Sequence, residues 1–109
     1  MACYLLQASY TPEGWAAQVK NPQDVRVRVQ AAMEKIGGAI VGVWYAFGDY
    51  DLVAIIEYSS NVSAAAYALA IMSPAIKAYK TTPLLTVEEG LAAMQQAAEV
   101  SAVYRPPGQ

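Results

Sequence analysis

Residues 39–47 and 50–58 are two runs of β-branched and aromatic residues with only Gly48-Asp49 between them. A gap that short joins two strands as an antiparallel hairpin, and glycine in its first central position suits a type II′ turn. Alternation along a strand sends successive side chains to opposite faces. In the second run Tyr50, Leu52, Ala54 and Ile56 form one set, while Asp51, Val53 and Ile55 lead the other. In the first run Val41, Val43, Tyr45 and Phe47 oppose Ile40, Trp44 and Ala46. A sheet with one solvated face carries polar residues at alternate positions. Here both faces are apolar, so both call for cover.

The flanking segments supply that cover for one face. Residues 2–10 read as a first strand, with Tyr4, Leu6, Ala8 and Tyr10 on one side and Cys3, Leu5, Gln7 and Ser9 on the other. Thr11-Pro12-Glu13 is an N-cap followed by proline and an acid in the first turn, which opens a helix. That helix ends near Asn21-Pro22, because proline disfavours helix at the preceding residue. A second helix then starts, with Asn21 as its expected cap. Val25, Val29, Met33 and Ile36 recur at helical spacing, although Val25 to Val29 also alternates as a strand would. The helix formers from Gln30 to Lys35 and the Gly37-Gly38 C-cap decide for helix.

After the hairpin, Ser59-Ser60-Asn61 caps an alanine-rich helix over about 62–73, which Pro74 stops. Residues 76–82 read as a fourth strand, limited by Pro83. Thr86 and Glu89 match a capping box, and the helix it opens, roughly 87–100, is expected to bury Leu91, Met94 and Ala98. Residues 102–109 form an extended tail. The order is strand, helix, strand, strand, helix, strand, helix. This is an α+β chain with the split pattern of a ferredoxin-like βαββαβ fold, plus an additional C-terminal helix, in a single domain over 1–109.

A chain of 109 residues builds one core. At 56% apolar and 15% charged, it has more apolar surface than a core that small can hide. Self-association of sheets, face to face or edge to edge, is the expected outlet, and the set holding Cys3, Gln7 and Ser9 is the preferred partner-facing side. No stretch reaches the roughly 18–20 apolar residues of a spanning helix, and the first residues lack the basic and apolar regions of a signal peptide. The expectation is a cytoplasmic protein with no membrane role. The net charge is −2 and the basic residues are dispersed, so no nucleic-acid partner is expected. Histidine is absent, which removes the commonest metal ligand and general base. There is no Cys/His metal spacing, phosphate loop or nucleophile elbow. No metal or cofactor is expected.

At the hairpin the chain resembles the GYD-domain family, named for a Gly-x-Tyr-Asp signature. The signature stands as Gly48-Asp49-Tyr50-Asp51, followed by the apolar strand Leu52 to Glu57. The opening Tyr4 strand ending at Thr11, the Gly37-Gly38 pair and the alanine-rich helix after the hairpin agree with it. The resemblance covers roughly residues 2–90; the last helix and the proline-rich tail run beyond the family's usual length. It implies a ferredoxin-like fold of the dimeric α/β barrel type and an oligomer. It supplies no reaction, since the family's biochemical role is largely unassigned.

Gly48 and Asp49 are explained by turn geometry. Tyr50 and Asp51 are candidates for a pocket mouth, because Asp51 enters an apolar strand, a setting in which a carboxyl becomes a usable acid or base. Lys77 and Tyr79 share a face of the fourth strand and there present a cation and a phenol to an anionic ligand, unless Lys77 simply snorkels at a sheet edge. Trp44 and Tyr45 lie on opposite faces, so only one of them lines a given cavity. Gln7, Trp44, Tyr50, Asp51, Lys77 and Tyr79 are therefore the candidate ligand contacts, and Tyr50 and Asp51 the candidate catalytic pair. Cys3 lacks a histidine to activate it as a nucleophile, and Glu88 and Glu89 read as charges that favour a helix N-terminus. Three functions follow: an oligomer binding an apolar or aromatic small molecule in a Tyr/Trp-lined cavity, a cofactor-independent enzyme using Tyr50 and Asp51 for proton transfer, or a structural assembly module.

Overall fold

The computed structural model describes residues 2–109. Strand β1 (Ala2–Tyr10) shows the expected alternation, with Tyr4, Leu6, Ala8 and Tyr10 all buried. It lies inside a four-stranded sheet of order β2-β3-β1-β4, formed with β2 (Ala39–Tyr45), β3 (Leu52–Tyr58) and β4 (Ile76–Leu84). All three pairings are antiparallel: β1 meets β3 from Ala2↔Tyr58 to Ala8↔Leu52, and β4 from Cys3↔Leu84 to Tyr10↔Ile76. Helices α2 (Val25–Lys35) and α3 (Asn61–Ala70) pack on the face that carries Tyr4, Leu6, Ala54, Ile56 and Tyr58. Cys3, Leu5 and Gln7 therefore lie on the helix-free face, paired across it with Glu57, Ile55 and Val53.

The core is aromatic at its centre. Tyr58 is fully buried, and its ring meets Tyr4 edge-on at 5.3 Å between centroids and Tyr67 of α3 at 6.4 Å. Such pairs add about 0.5–1.5 kcal/mol each beyond area burial. Tyr4 reaches past the core to donate its hydroxyl hydrogen to Asn61 Oδ1 at the start of α3.

Local chemistry explains the helix ends. Helix α1 (Pro12–Lys20) begins where the Thr11 hydroxyl accepts from the Gly14 N–H. Asn21 caps the C-terminus of α1 and does not open α2; that role falls to Asp24, whose carboxylate accepts from the Arg26 N–H. A four-residue link therefore replaces the abrupt restart expected at Pro22. At the end of α2, Gly37 takes φ +68°, with Gly38 N–H donating to Met33 O and Gly37 N–H to Glu34 O. This is a Schellman cap, which needs a residue free of Cβ strain at that position. The capping box at Thr86 and Glu89 forms as expected at the start of α4 (Val87–Val103).

Several expectations are overturned. The β2–β3 link is a loop over residues 46–51, closed by Ala46 N–H on Asp51 O at 2.8 Å, and Gly48 has no positive φ. The cause lies in β1: Asp51 N–H donates to Ala8 O, the Asp51 carboxylate accepts from Tyr10 N–H, and the Ser9 hydroxyl donates to Asp49 O. The hairpin end is pulled onto β1, so the tight type II′ turn does not form. Strand register differs twice. Ile40 pairs with Ile56 and Gly42 with Ile55, which leaves Val41 as an extra residue and puts Ile40, not Val41, on the helix-covered face with Val43. On β4, Ile76 pairs with Tyr10 and Ala78 with Ser9, so Lys77 is the extra residue and Ile76, not Lys77, shares the face of Tyr79. Both are bulges, in which one inserted residue resets the alternation. Pro83 does not end β4 but pairs with Tyr4; β4 is an edge strand, where a missing N–H is tolerated.

Helix α4 also departs from expectation. It runs to Val103, and Leu91, Met94 and Ala98 are exposed, as is nearly all of it. The helix projects from the body, giving a radius of gyration of 17.8 Å and a long axis of 58 Å; compact chains of about 100 residues have radii near 13 Å. Among the described residues no helix is long and apolar enough to cross a membrane.

Candidate functional site

Two small residues open a space in the middle of the helix-covered face. Ala8 and Ala54 sit on adjacent central strands, each opposite a leucine, in the pairs Ala8↔Leu52 and Leu6↔Ala54. Their short side chains do not reach α2, whose Val25, Val29 and Met33 form the roof. Tyr10, Arg28, Tyr67 and Tyr79 complete its lining, with Tyr67 near both Tyr10 and Arg28. The result is a largely apolar cavity of about 250 Å³. That is just below the roughly 300–1,000 Å³ typical of drug-sized ligands, and suits a molecule of one or two rings or a short chain.

Its polar lining residues are Tyr10, Tyr67, Tyr79, Arg28 and Ser73. The Tyr79 hydroxyl is buried and has no hydrogen-bond partner, and the same holds for Tyr58 and Thr81 beside it. Burial pushes Tyr79 up to about 12, and pushes Tyr58 up as well, helped by the neighbouring phenols. Tyr67 is raised by burial. Tyr10 is raised because burial outweighs the lowering influence of Arg28. At neutral pH all four are neutral phenols, able to donate or accept one hydrogen bond. The Tyr79 hydroxyl is enclosed beside those of Tyr58 and Thr81, so Tyr79 contributes the apolar part of its ring to the cavity wall.

The residues singled out from the sequence are dispersed. Tyr79 alone of the six lines the cavity. Gln7 and Trp44 are on the helix-free face, in one cross-strand row that runs Trp44, Val53, Gln7, Lys80. Trp44 is 55% exposed and lies along its strand over Gly42, where an added Cβ would come within 2.6 Å of the indole. Tyr50 is half-buried in the hairpin loop, and Lys77 is exposed at its bulge. The Asp51 carboxylate accepts from Tyr10 N–H at 2.9 Å and from the Trp15 indole N–H at 3.2 Å. Trp15 in turn packs edge-on against Tyr10, with 5.2 Å between centroids. Asp51 thus clasps the hairpin to the β1–α1 junction. Neither tryptophan lines the cavity, whose aromatic walls are tyrosines.

The cavity residues that sequence reasoning passed over are mainly Arg28, Tyr10 and Tyr67. Arg28 had a signal, being three residues from Val25 and five before Met33, on the flank of the apolar stripe of α2. Ala8 and Ala54 had none, because their effect depends on which residues they face across the sheet. Among the described residues no group of three or more His, Cys, Asp or Glu side chains converges.

An antiparallel sheet of order 2-3-1-4 with two crossover helices on one face defines a ferredoxin-like α+β domain, here with a pocket between helices and sheet. The sequence model of the GYD domain matches residues 4–94, and the chain belongs to that family. The matched region runs from β1 into α4 and includes the Gly48–Asp51 signature; α4 and the residues after it continue beyond the match. No curated protein matches the chain in sequence.

Proposed function

We propose that this GYD-domain protein binds a small apolar or aromatic molecule in the cavity between the sheet and α2. The observation that carries the reading is the 250 Å³ space itself, walled by apolar side chains and the ring of Tyr79. Close-packed cores leave few voids larger than a water, so a space of this size has the dimensions of a site. Proton transfer by Tyr50 and Asp51 is less favoured, since neither lines the cavity and Asp51 already holds two donors. Methionine methyl resonances test the proposal directly. Titration with indole is expected to shift Met33, in the cavity roof, and to leave exposed Met72 and Met94 unmoved. Saturating indole with no change at Met33 would overturn it.

A second reading, self-association, is favoured by two apolar surfaces that the chain leaves uncovered. Trp44 and Leu84 are exposed on the helix-free face, among half-buried Leu5, Val53 and Ile55, and Val87, Leu91 and Met94 are exposed along α4. A second copy would cover both, and in that assembly the open face and α4 serve contacts between subunits. Sedimentation should then show a dimer or larger species at micromolar concentration, reduced by Trp44→Glu and by Leu91→Glu. A wild-type monomer under those conditions refutes the assembly.

A further inference from the structure

A second space lies beside the cavity, with three lining residues in common. Tyr10, Arg28 and Ala75 line the cavity and also this adjoining groove of about 280 Å³, whose remaining polar side chains are Gln18, Asn21 and Gln23. The apolar chamber therefore adjoins a groove with three carboxamides, one cation and no carboxylate. The cation lies beside the Tyr10 hydroxyl but has no carboxylate partner. Two residues away, Arg26 is gripped by Asp24 through Nε–Oδ1 at 3.0 Å and Nη2–Oδ2 at 2.7 Å. That is the sole ion pair among the described residues, and Arg28 has no acidic partner in it.

The seam between chamber and groove is held by backbone. Thr11 donates its N–H to Ala75 O at 2.9 Å and its hydroxyl to Pro74 O at 2.8 Å. Gly14 lies so close that a Cβ there would be 2.4 Å from Ala75 O. The backbone at Ala75, which borders both spaces, is thus fixed in place, which lowers the ordering cost of binding there.

Taking the cavity reading above as its basis, we infer that the ligand is a monoanionic amphiphile: an apolar body the size of an octyl chain or a fused pair of rings, ending in a carboxylate. The body occupies the chamber; the carboxylate meets the Arg28 guanidinium in the groove, where the carboxamides of Asn21 and Gln23 offer further N–H donors. One guanidinium matches one negative charge, and its planar fork fits a carboxylate. A phosphate monoester would bring a second charge for which the groove holds no cation.

The test titrates wild-type protein with octanoate, octan-1-ol and octylammonium, reading affinity by calorimetry and occupancy by the Met33 methyl. Octanoate is expected to bind about tenfold tighter than octanol, as a charge-assisted hydrogen bond at a partly exposed site allows, and octylammonium weakest. In Arg28→Gln the octanoate-to-octanol ratio should fall to about one, and in Arg28→Lys it should be intermediate. Equal binding of octanoate and octanol to wild type, both shifting Met33, overturns the carboxylate and leaves the cavity reading standing. A ratio that survives in Arg28→Gln also overturns it, since another group would then read the charge. If no probe shifts Met33, the cavity reading fails and this inference fails with it.

Discussion

Replacing Gly14 with alanine sets two effects of opposite sign on one added methyl group. Gly14 is the third residue of α1, where alanine should gain up to about 1 kcal/mol in helix propensity. The new Cβ would stand 2.4 Å from Ala75 O, however, and 3.1 Å from Ala75 C and Cα. These are backbone atoms, so no rotamer relieves the contact; α1 and the 73–76 segment must part by most of an ångström. That motion strains the Thr11 N–H bond to Ala75 O and the Thr11 hydroxyl bond to Pro74 O. Overpacking of this kind costs about 1–3 kcal/mol, and each strained hydrogen bond about a further 0.5–1 kcal/mol. The net expectation is a loss of about 1–4 kcal/mol, at about 4–8 °C in melting temperature for each kcal/mol in a domain of this size. Thermal and urea unfolding followed by circular dichroism would measure it. Gly42→Ala is the internal control: its Cβ meets only the exposed Trp44 indole, at 2.6 Å, which can swing off the strand. That variant should be neutral or slightly stabilised. Gly14→Ala as stable as wild type would refute the reasoning, because it would mean that α1 does not rest on Ala75.

Removing the Asp51 carboxylate with Asp51→Ala leaves Tyr10 N–H and the Trp15 indole N–H without their acceptor. About 2–3 kcal/mol of stability should be lost in denaturant unfolding, and unchanged stability would show that the clasp is idle. Alkaline pH should destabilise the fold. The native state holds Tyr58, Tyr67 and Tyr79 as neutral phenols, with Tyr79 raised from 10.0 to about 12. A raised folded value means that this contribution is complete below the unfolded value near 10 and is lost as pH rises from there through 12. An ultraviolet phenolate titration should show a late-ionising group of tyrosines that coincides with unfolding, and Tyr58→Phe should blunt the loss. All eight tyrosines titrating together near 10 would contradict it.

Much of the fold was legible because its signals are local. The period-two pattern of Tyr4, Leu6, Ala8 and Tyr10 identifies a strand and its buried face without reference to any other segment. Thr11, Ser60 and Thr86 are capping residues whose chemistry is complete within one helical turn. The split order of strands and helices then leaves little choice of topology. The bulges at Val41 and Lys77 were not legible, since one inserted residue changes neither composition nor propensity and shows only in cross-strand pairing. That single-residue effect is why Lys77 and Tyr79, two apart, do not share a face. The exposure of α4 was equally hidden. Its apolar stripe at Leu91 and Met94 is what a core-facing helix would carry, and whether the core is in the same chain is not a local property.

The cavity belongs to the second kind of feature. Its roof was visible as the Val25, Val29, Met33 stripe, but its volume comes from Ala8 and Ala54 on adjacent strands, which only the β1–β3 register brings together. The Gly48–Asp51 signature connects to it at one residue. Asp51 holds the backbone N–H of Tyr10, and the side chain of Tyr10 lines both the chamber and the groove beside Arg28. The carboxylate thus sets where β1 ends and how Tyr10 faces both spaces without entering the site. Asp51 is in this sense a positioning residue, and its loss should disturb the Tyr10–Trp15 contact before it disturbs the apolar chamber. That accounts for a signature at the hairpin end when the space it serves lies under α2.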